Sequence, residues 1–147
     1  MKASTLRQHL AARIAQAATK FKLADSLIGV AAMPRTKLTP AFEVELRAAT
    51  PVGDRQRSTA TRVRRIFVVR LLHSGSPTKG IEQWDGCLDD ETTARAALQA
   101  RSERDDDPLA CVQNSIVYLG TDDPEILGGG EFRRSTLRFH IDFFEEI

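Results

Sequence analysis

Leu6, Leu10, Ile14, Ala17, Ala18 and Phe21 recur at three- and four-residue spacing, which predicts an amphipathic helix from about Thr5 to Lys22. Ser4 or Thr5 can cap it, with Gln8 three residues after Thr5 in a capping-box arrangement. Beyond the punctuation of Gly29, Pro34 and Pro40 the period changes to two. Phe42-Glu43-Val44-Glu45-Leu46-Arg47 alternates strictly and predicts a half-buried strand. A second strand covers about Arg62 to His73, where β-branched and aromatic residues concentrate. Its unbroken apolar middle implies contact on both faces. Between the two, Thr50 to Ala60 is polar and longer than a tight hairpin needs, so it is expected to protrude.

Ser74 to Gly86 reads as a Gly/Ser/Pro-containing connection. Acidic residues at Asp89, Asp90 and Glu91 then mark the start of a second helix running from about Leu88 to Arg104. Pro108 disfavours helical geometry at Asp107, so the helix must stop before Asp105-Asp106-Asp107. Two further strands follow: a short one at Ser115 to Leu119, and Thr136 to Phe143, whose Leu137, Phe139, Ile141 and Phe143 share one face. Asp122-Asp123-Pro124 and Gly128-Gly129-Gly130 punctuate the link between them, the glycines reading as a flexible hairpin tip. The order αββαββ, without a detectable internal repeat, fits a single α+β domain over 1–147: a two-layer fold with an antiparallel sheet carrying helices on one face. Glu43, Glu45 and Arg47, and Arg138, His140 and Asp142, then line the sheet's open face.

Composition changes this picture in one respect. The net charge is only +1, yet residues 1–80 hold 15 Lys or Arg against 4 Asp or Glu, and residues 81–147 hold 6 against 16. Such asymmetry accompanies a nucleic-acid surface, a charged tail or complementary faces of an assembly; the alternative is that the halves interleave and neutralise each other within one fold. No stretch approaches a membrane span, and the N-terminal residues lack the apolar core of a secretory signal, so synthesis in the cytoplasm and no membrane role are expected. Cys87 and Cys111 are accordingly expected as free thiols.

Candidate chemistry is sparse. His9, His73 and His140 fall on different elements without metal-ligand spacing. Asp105 to Asp107, and Asp122 with Asp123, offer hard oxygen donors but not the order of a calcium loop. Gly128 to Gly130 lacks phosphate-loop spacing, and no serine sits in a nucleophile elbow. No catalytic residue, metal or cofactor is therefore expected. The most pronounced local feature is the basic cluster Arg55, Arg57, Arg62, Arg64 and Arg65. Guanidinium groups grip carboxylate or phosphate, and with no aromatic residue interleaved for base stacking, an acidic protein surface is the favoured partner over nucleic acid. Glu91, Asp105, Asp106 and Asp107 in the acidic half are candidates for that surface on a neighbouring subunit.

The αββαββ order, the long basic hairpin and the closing segment Gly130-Glu131-Phe132-Arg133-Arg134-Ser135-Thr136-Leu137-Arg138-Phe139-His140-Ile141-Asp142-Phe143 resemble, in layout over most of the chain, the small tail terminator and tail completion proteins of long-tailed bacteriophages. The resemblance implies a structural virion protein at the head-proximal end of the tail, assembled in the host cytoplasm. It implies a homo-oligomeric ring, commonly hexameric, that caps the completed tail tube, stops its polymerisation and presents a surface to the head–tail connector, with phage DNA passing through without specific binding. Two alternatives stay open: another neck component, such as a head-closure or tail-tube protein, and a DNA-binding accessory domain using the same arginines.

Overall fold

The computed structural model describes residues 1–18, 22–23, 40–57, 60–101 and 106–146. In chain order the elements are α1 (Ala3–Ala17), β1 (Lys22–Leu23), β2 (Ala41–Arg57), β3 (Ala60–Ser74), α2 (Asp85–Gln99), β4 (Val117–Thr121), β5 (Glu125–Leu127) and β6 (Phe132–Glu146). Single 3₁₀ turns at Ile81–Trp84, Gln113–Ser115 and Gly128–Gly130 lead into α2, β4 and β6. The α+β class stands, and among the described residues the six-element pattern αββαββ gains the short strands β1 and β5.

Every residue of β3 is paired antiparallel with β6, from Ala60 opposite Glu146 to Ser74 opposite Phe132. β2 lies on the other side of β3, and β4 and β5 both pair with the outer edge of β6. The sheet order is β1-β2-β3-β6-β4, with β1 alone running parallel to its neighbour. Where β4 no longer covers the edge of β6, the Ser115 hydroxyl takes over: it donates to the carbonyl of Asp142 at 2.9 Å and accepts from the Asp142 amide at 3.1 Å. This satisfies backbone groups that an open edge would leave unpaired.

Directly opposed residues of an antiparallel pair share a face, so the register sorts the side chains. Val63, Phe67, Val69 and Leu71 of β3 and Leu137, Phe139, Ile141 and Phe143 of β6 face the helices and are buried with Leu6, Leu10 and Ile14 of α1 and Ala94 and Leu98 of α2. The rings of Phe67 and Phe139 stack at 5.0 Å between centroids. Tyr118 tilts against Phe139, and Arg95 of α2 lies 4.0 Å over the Tyr118 ring, tying the second helix to β4. Leu6, Leu10 and Ile14 are fully buried because their four-residue spacing forms a single stripe. Ser4 and Thr5 fall inside the first turn of α1; its N-cap is Lys2, with no side-chain cap. The helix ends at Ala17, five residues short of the predicted Lys22, and residues 19–21 lie outside the described residues. α2 starts and ends earlier than the pattern predicted, at Asp85 and Gln99.

The predicted protruding loop is the main correction. Thr50 to Ala60 is not a loop: β2 runs on to Arg57 and β3 begins at Ala60, leaving only residues 58 and 59, which lie outside the described residues, between them. The length excess that argued against a hairpin is absorbed by two irregularities. Arg47 and Ala48 stand against Ile66 alone, and residues 52–55, which include Gly53 at φ 68°, stand against Arg62 alone. Bulges of this kind let one strand carry more residues than its partner while the ladder continues.

Candidate interaction surfaces

The hairpin arginines sit on two strands. Arg55 and Arg57 belong to the last residues of β2; Arg62, Arg64 and Arg65 belong to β3 and are flanked by β6 along their whole length. Arg64 stands opposite Asp142 in register and grips it with two hydrogen bonds, at 2.8 and 3.0 Å. That hydrogen-bonded pair, reinforced by the charge of Arg64, holds the Asp142 carboxyl below the usual carboxylate range against the opposing effect of burial. Arg65 donates to both oxygens of Glu145, at 3.1 and 2.5 Å, and to the carbonyl of Arg47 in the β2 bulge at 2.7 Å. These two cations are therefore held by the C-terminal strand of their own chain. β3 pairs with β6, remote in sequence, and no local sequence pattern announces that contact; the carboxylates Asp142 and Glu145 in the closing segment were the only signal.

The predicted acidic partners are likewise committed or scattered. Glu91, on α2, lies 3.6 Å from the buried guanidinium of Arg133. Asp107 pairs with Arg13 of α1 and accepts the amide of Leu109 at 2.8 Å, so it fastens the segment after α2 to α1. Asp106 is exposed, and Asp105 lies outside the described residues. Among the described residues, Arg64 and Arg65 are thus not brought together with Glu91, Asp106 or Asp107 in one subunit.

The open face of the sheet is laced rather than bare. Arg70, buried to 8% exposure, reaches Glu43 at 3.4 Å and Glu45 at 2.6 Å; Arg138 grips Asp122 at 2.8 Å and holds its carboxyl below the ordinary range; Arg134 pairs with Glu125. Val68 and Leu72 are nonetheless fully buried on this face, which accounts for the unbroken apolar middle of β3. His140 stands in register between Ile66 and Val117 here, His9 is on α1, and His73 lies on the helical side 2.8 Å from Asp90 of α2. Among the described residues no group of three or more His, Cys, Asp or Glu could hold a metal ion. Both cysteines are free; Cys111 is exposed, whereas Cys87 is buried, and burial pushes its thiol up even though Arg133 favours the thiolate.

The feature that sequence reading missed is an apolar groove of about 580 Å³ at the end of the sheet remote from the hairpin. Its walls are Pro77, Ile81, Trp84 and Leu88 on one side and Pro124 and Ile126 on the other, with Arg133 among its lining residues. Ile81, Leu88 and Ile126 are 83%, 51% and 52% exposed, unusual for large aliphatic side chains standing together. The groove is preformed. The Gln83 amide clamps the preceding loop through Ser76, accepting its N–H at 2.7 Å and donating to its carbonyl at 2.8 Å, and Gly75 leaves room for the Trp84 ring where a Cβ would come within 2.3 Å of it. Opposite, Gly128, Gly129 and Gly130 all adopt positive φ in the turn between β5 and β6, a run of left-handed backbone that favours glycine. The groove is built from two segments forty residues apart, each of which reads alone as a connection. Apolar residues within the Gly/Pro-rich stretch from 75 to 88 were its only trace. No protein-family model matches this sequence, and comparison with curated proteins gives no match either.

Proposed function

We propose that this chain is a structural subunit working by assembly, not catalysis, and that it forms a ring capping a bacteriophage tail tube, ending tube polymerisation and presenting a surface for head attachment. The observation that carries the reading is polarity. One end of the three long strands carries the arginine-rich hairpin, and the other carries an exposed apolar groove, so the subunit owns two unlike surfaces far apart. Unlike surfaces on one protein are what heterologous, head-to-tail association requires, and such association closes into a ring when the rotation between neighbours allows. The α+β layout, with both helices on one face and a long hairpin in the sheet, supports the same reading.

The test is solution mass combined with negative-stain imaging, alone and with tail tubes assembled without this protein. A ring with a central hole that binds one tube end and fixes tube length is the expected result. A ring that binds heads but leaves tube length uncontrolled would instead make the chain a different neck component. Retention of duplex DNA with steep salt dependence, without binding to tubes, would replace assembly with nucleic-acid recognition.

A further inference from the structure

We infer that the apolar groove receives a segment of a partner protein in which apolar side chains stand beside lysine or arginine. This rests on the reading of the chain as a docking subunit and deepens it by naming the chemistry of what the groove takes.

The shape of the surface supplies the first argument. Ile81, Leu88 and Ile126 are exposed and line one groove, and Ile81 is 83% exposed. A wall that open would leave a small molecule largely in solvent, whereas a chain segment laid across it covers both sides; exposed apolar patches of this kind mark protein contacts. Gln83 and Gly75 hold the Trp84 wall in place before anything binds, so little ordering cost falls on this side of the contact.

Charge supplies the second. Two ionised side chains line the groove, Asp85 and Arg133. Arg133 is only 7% exposed, donates to the Trp84 carbonyl at 3.4 Å and lies 3.6 Å from Glu91, so its charge is balanced within the subunit. Asp85 is exposed and stands in no salt bridge among the described residues. The charge that the groove offers to a visitor is therefore negative. Trp84 beside it adds an aromatic face, and indole is the strongest of the aromatic side chains in attracting a cation. The surroundings contribute a field of the same sign. Segments 75–89 and 122–131, which supply every lining residue but Arg133, hold seven carboxylates and one lysine, with Asp122 and Glu125 bound by Arg138 and Arg134. A second copy fits this surface less well. Its exposed Ile66 and Val117 flank His140 on the open sheet face, and the arginines on either side in register, Arg64 and Arg138, are already gripped by Asp142 and Asp122.

Trp84 is the single tryptophan of the chain and lines the groove, so its emission reports occupancy in the full wild-type protein. Three short capped peptides without tryptophan serve as probes: leucines between lysines, leucines between glutamates, and serines between lysines. The first is expected to shift the emission saturably and to bind roughly tenfold tighter than the second, the gap narrowing in high salt, while the third leaves the emission unchanged. Asp85→Asn should weaken the first peptide about threefold and leave the second no weaker. Leu88→Ser with Ile126→Ser should abolish binding of both leucine peptides, with circular dichroism and thermal melting reporting that each variant remains folded. Equal or tighter binding of the glutamate peptide overturns the inference, as does serine-peptide binding as tight as that of the leucine–lysine peptide, or an emission unchanged by all three. Weakened association of the chain with itself in the Leu88→Ser, Ile126→Ser variant, seen by sedimentation, would make the occupant a second copy and overturn the partner. Ring formation is read separately by solution mass and imaging. Rings without the peptide preference keep the assembly reading and remove this inference; a monomer that selects the leucine–lysine peptide sustains this inference and removes the ring.

Discussion

Replacing Arg65 by methionine keeps most of the side chain's volume and removes its charge and donors. In the native chain Arg65 is 21% exposed, Glu145 is 19% exposed, and the guanidinium makes three hydrogen bonds, two to Glu145 and one to the Arg47 carbonyl within the bulge. The substitution leaves a half-buried carboxylate and a bulge carbonyl without their donor. Hydrogen bonds to charged groups contribute about 1.5–3 kcal/mol in such settings, and the pair is too sheltered for the much smaller value of an exposed ion pair. At about 2–4 °C per kcal/mol for a chain of this size, melting should fall by roughly 5–10 °C. Urea unfolding followed by circular dichroism measures the free energy, at one fixed protein concentration so that assembly does not contribute differently to each variant. A double-mutant cycle with Glu145→Gln separates the pair from the bulge contact. If the loss is below about 0.5 kcal/mol and the cycle shows no coupling, Arg65 is not holding β3 to β6, and the account of the hairpin as a locked ribbon is wrong.

Gly75→Ala places a Cβ within 2.3 Å of the Trp84 ring. Overpacking of this kind costs about 1–3 kcal/mol, and because Trp84 is the single tryptophan of the chain, a changed emission maximum should report its displacement; an unchanged spectrum and melting point would show that the groove wall yields freely. Asp142→Asn tests the salt bridge with Arg64 by pH. The folded carboxyl titrates below its ordinary pKa of about 3.9, so its stabilising contribution is complete above that value and is lost as pH falls through the lower folded one. Wild type should therefore be the more stable near neutrality and should converge with the variant in strong acid; a gap in melting temperature that persists unchanged across the titration would exclude this linkage.

The elements that a periodic apolar pattern controls were legible in the sequence. Leu6, Leu10 and Ile14 announce α1 because a helix buries one stripe, and Leu137, Phe139, Ile141 and Phe143 announce β6 because a half-covered sheet buries alternate residues. The hairpin was misread for a complementary reason. Thr50, Pro51 and Gly53 are exposed, so the apolar alternation that marks a half-buried strand fades there, and bulges conceal the register that would have matched the ribbon to β3. The groove was hidden more deeply, since its two walls belong to separate connections and meet only because β5 turns back onto the start of β6. Exposure, not periodicity, identifies Ile81, Leu88 and Ile126, and exposure is a tertiary property.

The charge asymmetry divides accordingly into a part that folding consumes and a part that remains. Arg13 with Asp107, Arg64 with Asp142 and Arg65 with Glu145 all join the basic N-terminal half to the acidic C-terminal half, as expected when β3 pairs with β6 and α1 packs beside the segment after α2. Those pairs make interleaving the correct account of much of the imbalance. They also change which residues can report on assembly. Reversing Arg64 or Arg65 would set like charge against Asp142 or Glu145 inside the subunit, so lost assembly there would reflect a damaged sheet as readily as a damaged interface. Arg55 and Arg57 lie on the other strand, Arg55 within the bulge that follows the pairing of Pro51 with Val63 and Arg57 opposite Ala60 beyond it, and the exposed carboxylates Asp85 and Asp89 lie on α2 at the far end of the sheet. Asp85 and Asp89 stand in no salt bridge among the described residues, so folding does not consume their charge. Their reversal disturbs no contact within the subunit, so a change in association caused by it reports on a surface and not on a damaged sheet.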